Sequence, residues 1–171
     1  MALEVETGSG SATAESYISV ADADSYHSLN GNPSSWSGAT TGEKESALRQ
    51  ATQYLDDKYQ SRWRGERVLS SQALRWPRVN VYDDDGFAVS STSIPAKLKQ
   101  AVAVVALEVI GGTSLFVTET AAGSLSAKRV KVGGIEIAKE FAGSQSSQPS
   151  FPKAAALLAG LISANGARYR A

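Results

Sequence analysis

The chain has 171 residues, of which 42% are hydrophobic, with 17 basic and 17 acidic side chains. This length and composition are typical of one ordinary domain. The absence of cysteine excludes disulfides, thiolate metal sites and cysteine nucleophiles, and the single histidine, His27, excludes sites built from several histidines. We therefore expect a protein that is not an enzyme and that carries no cofactor and no metal.

The chain shows no signal for membrane insertion or secretion. No stretch approaches the roughly 18 consecutive apolar residues of a membrane-spanning helix, and the longest apolar run, residues 101–107, stops at Glu108. The first ten residues contain Glu4 and Glu6 and no basic residue, unlike a signal peptide. We expect a cytosolic protein, or one released by lysis, without a membrane partner.

The balanced total charge hides a polarity along the chain. Residues 1–57 contain two basic residues against nine acidic ones, a net charge of −7. Residues 58–78 contain six basic residues against Glu66 alone, a net charge of +5. Such a basic segment can attract a polyanion, but it can equally pair with the acidic first third of the same chain or of another copy.

The first half of the chain predicts an extended arm followed by two helices. Residues 1–15 are mostly small and polar and favour an arm or edge strand. Ser19 is a suitable N-cap for a helix that ends before Pro33. After a loop rich in serine and glycine, Thr41 begins a second helix, whose apolar residues recur at helical spacing as far as Tyr59.

The middle of the chain predicts an irregular crossing, a turn and a buried helix. Trp76 precedes a proline and must be locally extended. Residues 83–86 have the composition of a tight turn between two short extended segments. Thr92 or Ser93 is expected to cap a helix that starts near Pro95. Because this helix is apolar nearly all round, it predicts a buried central helix, which the two glycines after residue 110 terminate.

The last third predicts a hairpin, a linker and a final helix. Valines and isoleucines alternate on either side of Gly133 and Gly134, which indicates a β-hairpin over about residues 126–141. Residues 142–150 have the composition of a linker, and residues 151–171 predict a helix and a basic tail. The expected fold is mainly α (α+β): a small helical bundle around a buried central helix, with a β-hairpin and extended terminal arms. Its domain is residues 1–141, followed by the linker and a C-terminal docking segment.

Motifs for catalysis and cofactor binding are absent from the sequence. There is no phosphate-binding loop, dinucleotide fingerprint, nucleophile elbow or paired-histidine helix. Residues 83–86 invite comparison with a calcium loop, but the alignment places Val81 and Thr92 where carboxylate ligands are required, so we interpret them as a solvated turn. His27 is interpreted as a surface or packing residue.

One segment interleaves aromatic and cationic residues. Bases stack on aromatic rings while arginines contact phosphates, which favours a platform for single-stranded nucleic acid. Tryptophan, tyrosine and arginine are equally typical of protein interfaces, and the tryptophans could instead anchor a core. The sequence leaves these three interpretations open. The residues concerned are Tyr59, Arg62, Trp63, Arg64, Arg67, Arg75, Trp76 and Arg78.

The order and spacing of several segments resemble a family of tailed-bacteriophage proteins. Members of this family are labelled DnaT-like single-stranded-DNA-binding proteins, but they resemble head-to-tail connectors, also called adaptor or head-completion proteins. The resemblance covers nearly the whole length and includes no catalytic residue. Its segments are residues 17–27, 51–56, 62–65, 72–78, 82–86, 94–95, 131–133, 151–152 and 157–158.

The resemblance implies a structural virion protein. Its copies would form a homo-oligomeric ring of about twelve beneath the portal protein, joining capsid to tail or to the next neck protein while duplex DNA passes non-specifically through the channel. The expected location is the virion neck, and the host cytoplasm during assembly. The expected portal-docking residues are Phe151, Leu157, Leu158, Leu161, Arg168, Tyr169 and Arg170. The alternative is a replication accessory protein that binds single-stranded DNA through Tyr59, Trp63, Trp76 and the surrounding arginines.

Overall fold

The computed structural model describes residues 2–116 and 149–163, and the backbone of residues 127–132 and 135–140. The described helices are α1 (Val20–Leu29), α2 (Ser34–Ser37), α3 (Thr41–Lys58), α4 (Ala96–Ile110) and α5 (Pro152–Leu158), the last followed by a 3₁₀ turn (Ala159–Leu161). The described strands are β1 (Glu66–Arg67), β2 (Arg78–Val79), β3 (Ala127–Val132) and β4 (Ile135–Glu140). The prediction of a mainly helical fold with a small hairpin is confirmed. No helix in the described ranges is long and apolar enough to cross a bilayer.

Two compact units make up the chain. The first contains residues 1–113 and 151–171, and the second contains residues 114–150. In the second unit β3 and β4 pair antiparallel, with Val132 opposite Ile135. The strands therefore flank Gly133 and Gly134, as the sequence predicted. The predicted linker falls largely outside the described residues, and the predicted domain boundaries stay a prediction.

Helix α4 is the centre of the first unit. Its residues 101–106 are all buried, and α1, α2, α3 and α5 all contact it. Small alanines and β-branched valines alternate along this stretch, which lets neighbouring helices approach from several sides. The predicted buried central helix is confirmed. Its N-cap is Pro95, which offers no side-chain cap, so the predicted cap at Thr92 or Ser93 is wrong.

Helices α1 and α3 each begin at a residue whose side chain caps the helix N-terminus. The Ser19 side chain accepts a hydrogen bond from the Asp22 N–H, as predicted. Thr40 and Glu43 form a reciprocal capping box at the start of α3. Helix α2 was predicted as loop, and it carries Trp36, which is fully buried. Its short length and its serines gave no helical periodicity to detect.

The N-terminal segment is a closed loop rather than an extended arm. Val5 bridges to Ser16, and the Glu6 N–H donates to the Ser16 carbonyl. The buried Glu6 carboxylate accepts hydrogen bonds from the N–H groups of Gly8, Gly10 and Ser11 at 2.7, 3.1 and 2.7 Å. A carboxylate held by backbone donors organises a loop that has few apolar side chains of its own.

Candidate functional site

The three aromatic residues of the interleaved segment belong to the core. Tyr59 and Trp63 are each 5% exposed, and Trp76 is fully buried. Their rings form a chain of edge-to-face contacts, with centroids 5.9 Å apart from Tyr59 to Trp63 and 6.1 Å from Trp63 to Trp76. Because the rings are covered by protein, they offer no face on which a base could stack. Of the three interpretations, the core one describes these aromatics.

Arg78 is a structural residue of the same core. Its guanidinium donates to the backbone carbonyls of Arg64, Arg75 and Gly65 at 2.6, 3.1 and 2.5 Å. Desolvation lowers the pKa of Arg78 to about 10, which still leaves it charged at neutral pH. A guanidinium that is buried and bonded in three directions joins β2 to the residues before β1, and it is not available for a phosphate.

Arg62 and Arg64 are half-buried and also have protein partners. Arg62 donates from Nε to the Ser163 carbonyl at 3.0 Å, and its guanidinium lies 5.5 Å from the Tyr59 ring centroid. Arg64 forms an ion pair with Asp84 at 2.9 Å. These contacts tie the segment after α3 to the C-terminal turn and to the acidic turn at residues 83–86.

Arg67 and Arg75 line one open groove. Arg67 is exposed on β1, and Arg75 is half-buried on the segment that leads into β2. Neither forms an ion pair within the described part of the chain. Among the described residues, their side chains make only long hydrogen bonds, 3.5 Å from Arg67 Nη1 to the Gln72 carbonyl and 3.4 Å from Arg75 Nη2 to Gln60 Oε1. These two guanidiniums therefore remain able to bind an anion.

The groove has a volume of about 450 Å³ and a mixed charge. Arg49, which also lines it, forms an ion pair with Glu15 at 2.9 Å. The hydrogen bond from Arg49 lowers the pKa of Glu15, so this pair stays ionised at neutral pH. The complete lining is Glu15, Arg49, Gln53, Asp56, Asp57, Arg67, Ala73, Leu74 and Arg75.

A buried carboxylate supports the groove from α3. Asp56 accepts hydrogen bonds from the Tyr17 hydroxyl at 2.7 and 2.9 Å and from the Arg75 N–H at 2.9 Å. The Trp76 N–H donates to the Tyr17 oxygen at 3.1 Å. Burial raises the pKa of Asp56 to about 6 and, with the charge of Asp56 beside it, raises that of Tyr17 well above its ordinary value. This network sets the backbone of Arg75 at the groove.

The sequence predicted Arg67 and Arg75 but missed the supporting residues. Asp56 lies four residues after Thr52 and eight after Leu48, so helical periodicity places a carboxylate on the buried face of α3. An acid at that spacing was the available signal. Arg49 gave none, because a single arginine on a helix is ordinarily a solvated residue.

The C-terminal residues expected to dock a partner differ in their exposure, and some of them lie outside the described residues. Leu158 and Leu161 are buried in the first unit, where α5 packs on α4. Phe151 is half-buried and contacts Tyr54 edge-to-face at 5.4 Å. Leu157 is half-buried. Arg168, Tyr169 and Arg170 lie outside the described residues.

The features that sequence analysis set aside have structural roles. The Asp83 carboxylate accepts from the N–H groups of Asp85 and Phe87 at 3.1 and 2.8 Å, which closes the predicted turn. His27 is buried against Trp36, with ring centroids 4.4 Å apart, and its Nε2 lies 3.2 Å from the Ala103 carbonyl. Its interpretation as a packing residue agrees with this position. No group of three metal-ligating side chains occurs among the residues that the structure describes.

Residues 1–171 match a protein family described as putative DnaT-like ssDNA binding protein. The chain belongs to this family. No curated protein and no solved structure matches the chain. The description of this family names single-stranded DNA as the ligand, which indicates DNA as the partner.

The family match overturns the adaptor interpretation. The segments that resemble tailed-phage proteins are real sequence features, but the family to which the whole chain belongs is a DnaT-like one and not a head-to-tail connector family. The structural virion role is therefore wrong, and the match gives no support to a portal partner, a tail partner or a ring of copies. The expected location stays a prediction.

Proposed function

We propose that this DnaT-like protein binds single-stranded DNA through the groove beside β1, as a binding protein rather than an enzyme. The observation that carries the proposal is that Arg67 and Arg75 line one open groove without an ion pair among the described residues. The family description supplies the class of ligand.

Phosphate contacts are the chemistry that this groove offers. A guanidinium binds a phosphate through charge-assisted hydrogen bonds, frequently with two parallel donors. Gln53 adds an exposed amide to the lining, and the groove has a volume of about 450 Å³. The acids Glu15, Asp56 and Asp57 on the same walls reduce the positive potential, so the expected binding is modest and sensitive to salt.

Base stacking on the aromatic residues that the sequence analysis singled out does not contribute to the proposed binding. Tyr59, Trp63 and Trp76 are at most 5% exposed, whereas stacking requires an open ring face. Two of the three large exposed aromatics in the described ranges, Tyr82 and Phe87, flank a turn of three aspartates, where phosphates are repelled. Binding through phosphates alone predicts little dependence on base sequence.

The test is a double variant, R67A/R75A, measured with single-stranded oligo(dT) by fluorescence anisotropy over a series of salt concentrations. If each arginine contacts one phosphate, the slope of log K against log salt becomes shallower by about 1.4, and the affinity falls correspondingly at low salt. Circular dichroism and thermal melting verify that the variant is folded.

The matched control is K97A/K99A, which removes the same charge from the start of α4, outside the groove lining. This variant should bind oligo(dT) nearly as tightly as the wild type. Equal losses of affinity in the two double variants would show that only total charge matters. That result would contradict binding in the groove. Unchanged binding by R67A/R75A would also refute the site.

A further inference from the structure

Asp56 combines burial with a position on the groove wall. It is 8% exposed, yet it contributes to the lining next to Arg75. It forms no ion pair with any described residue, and its hydrogen bonds come from the neutral donors Tyr17 O–H and Arg75 N–H. A carboxylate with neutral donors and little water is the group in this groove whose charge is least well compensated.

Charged and titratable groups approach Asp56 from four parts of the chain. The Tyr17 hydroxyl comes from the segment before α1, and Asp57 is its neighbour on α3. Positive charges come from Arg75, on the segment that enters β2, and from Arg78, the first residue of β2. The groove walls add further groups around it, which are Glu15, Arg49 and Arg67.

We infer that binding of single-stranded DNA in the groove is coupled to uptake of a proton by Asp56, so that affinity rises as the pH falls. This inference rests on the proposed function. A phosphate held by Arg67 and Arg75 brings negative charge to the wall that contains Asp56. Two negative charges in a partly desolvated site repel each other, and protonation of the carboxyl removes that repulsion.

The direction and size of the effect follow from linkage. Burial raises the pKa of Asp56 to about 6 in the free protein, so this residue changes charge in an accessible pH range. If a bound phosphate raises that pKa by about one unit, the affinity increases about sixfold between pH 7.5 and pH 5.5. Contacts between arginine and phosphate alone would give no such slope, because the arginine side chain is ordinarily charged at every pH in this range.

His27 is the other side chain expected to titrate near this range. Burial lowers its pKa, and its ring packs between Tyr26 and Trp36 and contacts the Ala103 carbonyl. It is not part of the groove lining. A matched pair of variants on α3 can therefore separate the contribution of Asp56 from that of the rest of the protein.

The first experiment is calorimetry of the wild-type protein with oligo(dT) at pH 6, in buffers of different ionisation enthalpy. Thymine bases and phosphodiesters do not titrate near this pH, so proton uptake reports the protein. We expect uptake of about 0.4 proton for each binding event. Binding without proton uptake overturns the coupling and leaves the proposed function intact. No binding at any pH from 5.5 to 7.5 contradicts both.

The second experiment compares D56N with D57N, using oligo(dT) that carries a dye without a pH-dependent signal. Asp57 is exposed and lines the same groove, so D57N removes an equal charge while keeping the buried carboxyl. We expect the affinity of D57N for oligo(dT) to increase at low pH as that of the wild type does. D56N should lose most of this increase. Equal pH slopes in the two variants overturn the inference. If D56N fails to fold, the wild-type calorimetry decides.

Discussion

At the scale of single residues, burial separates the arginines that sequence analysis grouped together. Arg78 is 9% exposed and is bonded to three carbonyls, whereas Arg67 is exposed and has one long hydrogen bond. The two stand opposite each other in the β1–β2 pair. Composition cannot distinguish them, because both are arginines within one basic segment. Their neighbours in space give Arg78 a structural role and leave Arg67 available for an anion.

The first prediction concerns Arg78. R78A removes a guanidinium that satisfies three backbone carbonyls, and we expect the free energy of unfolding in urea to fall by about 3 kcal/mol. R78K should recover little of this, because lysine lacks the planar set of donors. R67A is the control and should change stability by less than about 0.5 kcal/mol. Similar stability of R78A and R67A would disprove the structural assignment.

At the scale of elements, the short β1–β2 pair depends on a close approach of two backbones. Gly65 has φ +66°, and a Cβ built on it would lie 2.1 Å from the Val79 carbonyl oxygen. Its own carbonyl accepts from Arg78. The pair places Arg67 opposite Arg78 and so holds Arg67 near the segment that contains Arg75, eight residues further along the chain. The pairing therefore depends on contacts of Gly65 with Val79 and Arg78, which a local sequence pattern does not record.

The second prediction compares two glycines that share a positive φ. Gly86 has φ +86°, and no atom lies within 4 Å of a Cβ built there. G86A should cost about 1 kcal/mol in conformational strain alone, whereas G65A adds a backbone clash and should cost about 3 kcal/mol or more. Thermal unfolding of the two variants measures the difference. Equal losses would mean that the approach of Gly65 to Val79 does not determine stability.

At the scale of the whole molecule, the Asp56 network connects distant parts of the chain. Tyr17 precedes α1, Asp56 lies on α3, and the Arg75 and Trp76 N–H groups belong to the crossing before β2. Tyr17 is 39 positions from Asp56 and 59 positions from Trp76 along the chain. The network therefore depends on the tertiary fold. Protonation of Asp56 should change the stability of the protein as well as the charge of the groove.

The third prediction concerns stability against pH. Burial raises the folded-state pKa of Asp56 from 3.8 to about 6, so the folded state takes up a proton more readily than the unfolded state. The resulting stabilisation is fully present below pH 3.8 and is lost as the pH rises through 6. The wild type should therefore gain about 2 to 3 kcal/mol relative to D56N between pH 7.5 and pH 4.

The comparison with D56N is required because other groups act in the opposite direction. The lowered pKa values of His27, Glu15 and Asp24 all give stability that is lost as the pH falls. These contributions are common to both proteins and cancel in the difference between their free energies of unfolding. A pH-independent difference would show that Asp56 titrates alike in the folded and unfolded states.

The amino-acid sequence by itself determined the helices with strong periodicity or capping, the buried central helix and the Gly133–Gly134 hairpin. These features depend on interactions between residues close in sequence, which a local pattern records. The exposure of each residue in the basic aromatic segment was decided only by the tertiary structure, because it depends on contacts with distant residues. Trp63 bridges to Ile162, Trp76 donates to Tyr17, and Arg75 donates to Asp56. A local pattern of aromatics and arginines could therefore identify the segment that contains the arginines of the proposed site, but it could not show which of its side chains face solvent.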